Sequence, residues 1–430
     1  MQTVNNRIYF YLNRIRERLW VKPLVFCLLS IGGVFMAMSA NESESIAHIS
    51  VIEAGTNEKL LTIMASSMLV IATFAVSSML SAYASASNTA TPRSFPLVVA
   101  DDVSQTALSA FIGAFIFSIV SLVAVKNGYF EPGGHLVLFV LTIAVFAWVV
   151  MTFVRWVDTI ARLGRVGNTT DKVEKAASEA LMRRRRRPNL GGVAPARGQN
   201  PGQAVSSNTI GYVQQIDTHA LQTYAEKADC RITVAAIPGT FLAPGRPIAY
   251  VAFDDMNAGD VEDSAIAEAF LVGDDRVFDE DPRFGLVVLS EIASRALSPA
   301  VNDPGTTIGI IGTFVRLFSA WNEPLEKEEE VTQDCDRVHV PELVISDMFD
   351  DAFTAVGRDG AMFVEICVRL QKALAALARM GNSSIADAAR HHSRRALAQA
   401  QRGLQLSDDI DAVRREAERV ASCSDSMESA

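Results

Sequence analysis

Seven hydroxyl side chains, Ser66, Ser67, Thr73, Ser77, Ser78, Ser81 and Ser85, sit among Ala, Met, Leu and Val in one long uncharged run. Four of them, Ser66, Thr73, Ser77 and Ser81, follow offsets of seven, four and four, which on an α-helix aligns them along one face. A hydroxyl on a membrane helix has two uses. It bonds to a closely packed neighbour or back to its own carbonyls, or it replaces part of the water shell of a permeating ion or solute. The four residues are therefore a candidate packing face or a candidate pore face. No acidic or basic side chain lies in the run, so it offers no obvious proton relay.

A second concentration of polar groups comprises Asp281, Glu291, Arg295, Asn302 and Asp303. Asp281-Pro282 has the chemistry of an N-cap followed by Pro at the first helical position. The helix it opens, Arg283 to Leu297, carries Glu291 and Arg295 at i, i+4. Ser298-Pro299 breaks that helix, Asn302-Asp303-Pro304-Gly305 makes a tight turn, and a second apolar helix spans Thr306 to Trp321. Two readings stand side by side: satisfied caps and a turn, or a site for a small ligand or ion. No nucleophile with a paired base and no phosphate-binding glycine loop completes the cluster. HExxH, GxSxG, Walker and Rossmann signatures are absent from the sequence, so no catalytic residue and no cofactor is assigned. His391 and His392 occupy adjacent, differently directed positions of a helix, which predicts a solvated face rather than a metal site. The five cysteines have no close pair, as suits thiols in a reducing compartment or a membrane.

The hydroxyl run is one of four stretches without Asp, Glu, Lys or Arg: Pro23 to Asn41, Leu60 to Pro92, Val103 to Val125 and Leu136 to Val154. Crossing about 30 Å of hydrocarbon takes roughly 20 helical residues, so each is long enough. The second is too long for one simple crossing, and a helix from about Leu60 to Ser85 followed by a polar stretch ending at Thr91-Pro92 is expected. In the third span Gly113, amid Phe111, Phe115 and Phe117, suggests a helix crossing point. Trp20, Tyr129 and Trp156 fall near span ends, where amphipathic rings prefer to sit. A 22-residue arm precedes the first span, and no convincing cleavage site follows it, which argues against a signal peptide.

The mean hydropathy is +0.20 and the net charge −10, but the charge is divided. Residues 1–187 carry +6 and residues 188–430 carry −16. Arg7, Arg14, Arg16, Arg18 and Lys22 precede the first span, whereas Glu42, Glu44, Glu53 and Glu58 follow it against Lys59 alone. By the positive-inside rule both termini are expected to be cytoplasmic. The fourth span continues into Arg155, Asp158 and Arg162, spaced for ion pairs on a helical stalk. The run Arg183 to Arg187 follows; beside a membrane such a cluster attracts anionic lipid at about 1 kcal/mol per residue, a reading preferred here to nucleic acid. The acidic second half lacks the clustered cations that a phosphate-tracking surface needs.

These features predict an α-helical integral membrane domain of four transmembrane helices followed by an α+β cytoplasmic domain. The expected layout is a basic arm at 1–22, the spans and their helical extension at 23–187 and a Pro- and Gly-rich linker at 188–208. A small β-rich module at 209–260 and a mainly helical domain at 261–430 complete it. The module's strands are expected at Ile210 to Ile216, Arg231 to Ile237 and Pro247 to Phe253, with a helix at His219 to Ala228. After an acidic surface stretch from Glu323 to Asp336, a strand at Val338 to Ile345 leads into helices at Ser346 to Val356, Gly360 to Met380 and Ser384 to Leu404.

The chain also resembles a bacterial family of predicted integral membrane proteins, domain of unknown function 2254. The phrases that carry the resemblance are Ala65-Ser66-Ser67-Met68, Thr91-Pro92-Arg93, Asp101 to Gly113 (DDVSQTALSAFIG), Gly211 to Asp217 (GYVQQID) and above all Asp281 to Gly305 (DPRFGLVVLSEIASRALSPAVNDPG). It implies four spans followed by a cytoplasmic domain, and it supplies no activity and no catalytic residue. Two functions are expected from the chain as read: a homo-oligomeric channel or transporter-like protein with the hydroxyl face near the path, or a membrane-tethered regulatory or scaffolding protein whose soluble half binds a partner or small ligand.

Overall fold

The computed structural model describes residues 20–39, 54–163, 165–196, 202–253, 262–324 and 334–422. The arginines of the N-terminal arm, the acidic residues Glu42, Glu44 and Glu53, and most of the acidic stretch after Glu323 lie outside the described residues. The chain divides into two compact units, 1–169 and 170–430.

Four long helices dominate the first unit: α1 (Val21–Ser39), α2 (Ala54–Thr89), α4 (Asp102–Lys126) and α5 (Pro132–Arg162), with a short α3 (Phe95–Val99) between α2 and α4. All four are long and apolar enough to cross a membrane. Helix α4 is the central one, packing against α1, α2 and α5. It can do so because small residues line its contacts: Ala107, Ala110, Ala114 and Ser118 are buried along it. Gly113 is the closest approach. A Cβ there would stand 3.0 Å from Cβ of Phe26, and the Ser30 hydroxyl of α1 donates to the Gly113 carbonyl at 2.9 Å. The crossing point expected at Gly113 is thus present, between α1 and α4.

The two ends of this bundle are pinned by ion pairs, Lys22 with Asp102 at one end and Lys126 with Glu58 at 3.1 Å at the other. Asp101 caps α4 by accepting from the Ser104 N–H, and Gln105 ties α3 to it by donating to the Val99 carbonyl at 3.0 Å. One detail differs from expectation. Helix α2 runs unbroken for 36 residues, since nothing before Pro92 removes a backbone donor. Trp156, near the end of α5, is 1% exposed within the bundle, seated edge-on against Phe111 with ring centroids 6.2 Å apart. The stalk pair forms: Arg162 donates to Asp158 at 3.0 Å.

Helix α6 (Val166–Arg186) begins in the last residues of the first unit, and the second unit, which holds the rest of it, continues into two sheets. One has the order β1 (Gln203–Ser206), β5 (Pro247–Phe253), β3 (Cys230–Val234), β7 (Val338–His339); the other has β4 (Phe241–Leu242), β2 (Gly211–Ile216), β6 (Phe270–Gly273). All pairings are antiparallel except β3 with β7. Val205, Val213, Ile232, Leu242, Ile248, Val251 and Val338, together with Leu221 of α7 (Thr218–Ala228), share one core.

Strands β1 and β6 were not expected. Gln203–Ser206 falls in the stretch expected to be a linker, and Phe270–Gly273 lies in the part expected to be mainly helical; each is too short to show an alternation, and pairing with β5 and β2 makes the strand. Within the same stretch Asn189 is 6% exposed and donates to the Val340 carbonyl at 2.5 Å, so residues 188–193 are folded against β7. The strand expected over Val338 to Ile345 is confined to two paired residues.

After a short α8 (Asp263–Ala267), six helices follow: α9 (Pro282–Ala296), α10 (Pro304–Asn322), α11 (Ile345–Asp359), α12 (Val364–Ala378), α13 (Ser383–Gly403) and α14 (Ser407–Ala421). Helix α11 packs on α9 and α13, and α12 on α10, α13 and α14. Phe314, Phe318, Phe349 and Phe353 fill the space between α10 and α11, with ring centroids 4.4 to 6.0 Å apart. Gly285 allows α9 to meet α6, for a Cβ there would stand 2.4 Å from Cβ of Ala177.

Candidate functional site

The hydroxyl face of α2 points away from its own bundle. Ser66, Thr73, Ser77 and Ser81 are exposed, whereas the buried side of the helix is Met64, Met68, Ala72, Ala75 and Met79. Intrachain packing is therefore done by Ala and Met. Ser66 donates to the Thr62 carbonyl at 3.0 Å, Thr73 to Val70 at 2.8 Å and Ser77 to Thr73 at 3.0 Å. Hydroxyls satisfied by their own helix tolerate lipid, and in a single chain they line no interior path.

The polar cluster around α9 separates into two structures. At its N-terminus Asp281, 2% exposed, accepts from the Phe284 N–H and from Nε and Nη2 of Arg276 at 2.6 and 3.0 Å. The Arg276 guanidinium also lies over the Phe284 ring, 5.2 Å from its centroid. Gly239 comes so close that a Cβ would stand 2.3 Å from Oδ2 of Asp281; at φ +89° it also occupies backbone space that other residues resist. Burial pushes the Asp281 carboxyl up from its ordinary value, while Arg276 pulls it down. Nearby, Arg283 joins α9 to α11 by donating to Asp351 at 2.6 Å and to Asp347 at 2.8 Å.

The other end of α9 holds the turn. Asn302 adopts a left-handed backbone, φ 49°, and its N–H donates to the Ser298 carbonyl at 2.9 Å. Asp303 caps α10, accepting from the Thr306 hydroxyl at 2.6 Å and the Thr306 N–H at 3.1 Å, and these bonds hold its carboxyl below the usual range. Glu291 and Arg295 lie between, both half-buried. A 15-residue helix is about 22 Å long, so Asp281 is not brought together with Asn302 and Asp303. The junction is two satisfied caps joined by a helix.

The histidine pair is likewise divided. His391 is exposed, but His392 is 4% exposed beside Phe349 and Phe353, with Nε2 3.3 Å from Asp350. The solvated face expected for both holds for His391 alone, because α13 turns the next position onto α11. Burial pulls His392 down to about 4.

The arginine run forms the most chemically concentrated place in the second unit. It closes the last turn of α6, where cations complement the helix dipole. Arg183 donates to the Asp279 carbonyl at 3.1 and 2.6 Å, Arg184 to Pro341 at 2.8 Å, Arg185 to Ala320 at 2.9 Å and Arg187 to Leu190 at 3.2 Å. Arg184 is 4% exposed, and its Nε is buried without a partner. Burial pulls Arg184 down to about 10 and pushes the Glu280 carboxyl up from its ordinary value. Arg183, Arg184, Arg186 and Arg187 line a cleft of about 180 Å³ with Asp279 and Glu280. Sequence reasoning found the arginines but not Glu280, whose only signal was its place beside Asp281.

Among the described residues no group of His, Cys, Asp and Glu is arranged to hold a metal ion. No curated protein and no solved structure matches the chain. Residues 16–376 match the family described as predicted membrane protein (DUF2254). That match begins before the first span and continues through both sheets into α12, so it embraces the spans, the Asp281 cap and the arginine cleft alike. The chain therefore belongs to the DUF2254 family of predicted membrane proteins.

Proposed function

We propose that the protein is a membrane-anchored regulatory protein of the bacterial inner membrane, with both termini cytoplasmic, whose soluble unit binds a small ligand. The observation that carries this reading is the cleft at the end of α6, where four arginines and two carboxylates meet and one buried guanidinium nitrogen has no partner. Polar groups that converge in a cleft are what orient a small ligand, and a buried donor left without a partner calls for an explanation that a ligand site supplies. The cleft also has a direct covalent path to the spans, since α6 starts four residues after α5 ends.

The full chain in neutral-lipid nanodiscs, heated with a panel of small metabolites and ions, tests the reading. A ligand present at 100 times its Kd adds about 2.7 kcal/mol, which for a unit of this size raises the melting temperature by roughly 5–10 °C. The shift is expected to survive replacement of Ser66, Thr73, Ser77 and Ser81 by Ala. A second reading, a homo-oligomeric channel, is favoured by the outward direction of those four residues, which could line a path only between copies. Bilayer conductance altered by the same four substitutions, with no stabilising ligand found, would overturn the binding reading and support the channel.

A further inference from the structure

We propose that the cleft at the C-terminal end of α6 is a phosphate site, with Arg183 and Arg187 as its gripping cations and Glu280 as a carboxylate in the same lining whose negative charge opposes a bound phosphate. The inference deepens the binding reading above and rests on it. A guanidinium carries five N–H donors in a planar fork that suits phosphate oxygens. Arg183, Arg184 and Arg187 each engage a backbone carbonyl through one or two nitrogens, which fixes the forks in place without neutralising them. Against four guanidinium groups the lining offers two carboxylates, leaving a surplus of positive charge.

The deepest of the cations is also the least satisfied. Arg184 is 96% buried by its 4% exposure, faces the cleft, and leaves Nε unpartnered. Size agrees. Taking about 30 Å³ per water, 180 Å³ holds about six waters, room for one phosphate or a pyrophosphate.

The same chemistry is found on a lipid headgroup and on a soluble phosphate compound. Pyrophosphate and inorganic phosphate are the probes, titrated calorimetrically into the full chain at constant ionic strength, in nanodiscs of zwitterionic lipid and in nanodiscs one-third phosphatidylglycerol. Binding in the first with the same affinity in the second identifies a soluble ligand. Affinity reduced tenfold or more by the anionic lipid identifies a headgroup.

Charge-assisted bonds of this kind are worth about 1.5–3 kcal/mol, so Arg183→Gln and Arg187→Gln should each weaken pyrophosphate roughly 10- to 100-fold. Both side chains are exposed, so the variants keep the fold, and an unchanged melting temperature without ligand verifies that. Glu280→Gln removes the competing carboxylate and should tighten binding about tenfold. Weaker binding in Glu280→Gln, or affinities unchanged by either arginine substitution, overturns the phosphate assignment. If neither probe binds but another ligand stabilises the wild type and not Arg183→Gln, the phosphate class is wrong and the binding reading stands. If nothing stabilises the wild type, both fall.

Discussion

The pair Arg276–Asp281 gives the sharpest test of how this fold is held together. Asp281 is 2% exposed and the Arg276 side chain 20%, with both guanidinium contacts at or below 3.0 Å. Removing one partner of a buried pair costs about 3–5 kcal/mol, because the survivor is left charged and desolvated. Arg276→Met leaves the deeper partner, with the Phe284 N–H as its hydrogen-bond donor and the more distant Arg283 charge for compensation, so the upper part of that range applies. Asp281→Asn keeps the size and the N-cap and strands a guanidinium that still reaches some solvent, so about 2–3 kcal/mol is expected. In the double variant no charge remains and the cap survives; its cost should be about 1 kcal/mol. The coupling is then well above the half kcal/mol within which independent sites add.

At roughly 2–4 °C per kcal/mol, Arg276→Met should melt about 10 °C or more below the wild type and the double variant within about 4 °C of it. The assay is thermal unfolding of the detergent-solubilised full chain followed by tryptophan fluorescence. Trp321 is the only tryptophan after Trp156, so its transition reports the second unit. If the two single shifts simply add in the double variant, the pair is not the anchor of α9 and the reasoning fails.

Two further outcomes follow from the packing. His392 has a folded pKa of about 4 against an ordinary 6.5, so the unfolded chain takes the proton more readily; stability is full above pH 6.5 and is lost as pH falls toward 4. The loss at pH 5 is about 2 kcal/mol, and His392→Phe, which suits the Phe349 and Phe353 surroundings, should flatten the fall in melting temperature between pH 7.5 and pH 5 by roughly 4–8 °C; an unchanged slope would refute it. In the first unit Gly113→Ala asks Phe26 to shift by a few tenths of an ångström, whereas Gly113→Leu cannot fit against α1 and breaks the Ser30 bond. Limited proteolysis should show α1 released in the leucine variant and retained in the alanine one.

What was legible in the sequence was local. Four charge-free runs give four apolar helices, because span length is set by the bilayer and needs no knowledge of neighbours. Asp281-Pro282 and Asp303-Pro304 give real N-caps, because a cap is satisfied within three residues. The hidden part was non-local. β1 and β6 exist only through partners more than forty residues away, and a four-residue strand carries no period of its own. His392 differs from His391 only in which side of α13 meets α11. The run Arg183 to Arg187 has the same composition whether it faces lipid or donates to Asp279, Pro341 and Ala320; composition states the charge and leaves the acceptors to the fold.

The family match itself carries a physical consequence, because it stops at residue 376, inside α12. Helix α12 is buried along Ile366, Cys367, Leu370, Leu374 and Leu377, and part of that face is covered from beyond the match. Cys367 shares a cluster with Ala400 and Leu404 of the α13 end and Val413 of α14, and Gln371 exchanges bonds with Ser393 at 3.0 and 2.6 Å. A chain ending at 376 would expose that face and strand the fully buried Gln371 amide. Residue 376 is therefore a limit of sequence likeness and not of folding. The cleft and the Asp281 cap lie inside the match, while the His392 site lies beyond it, so the ligand chemistry and the acid sensitivity predicted for this protein belong to different parts of its chain.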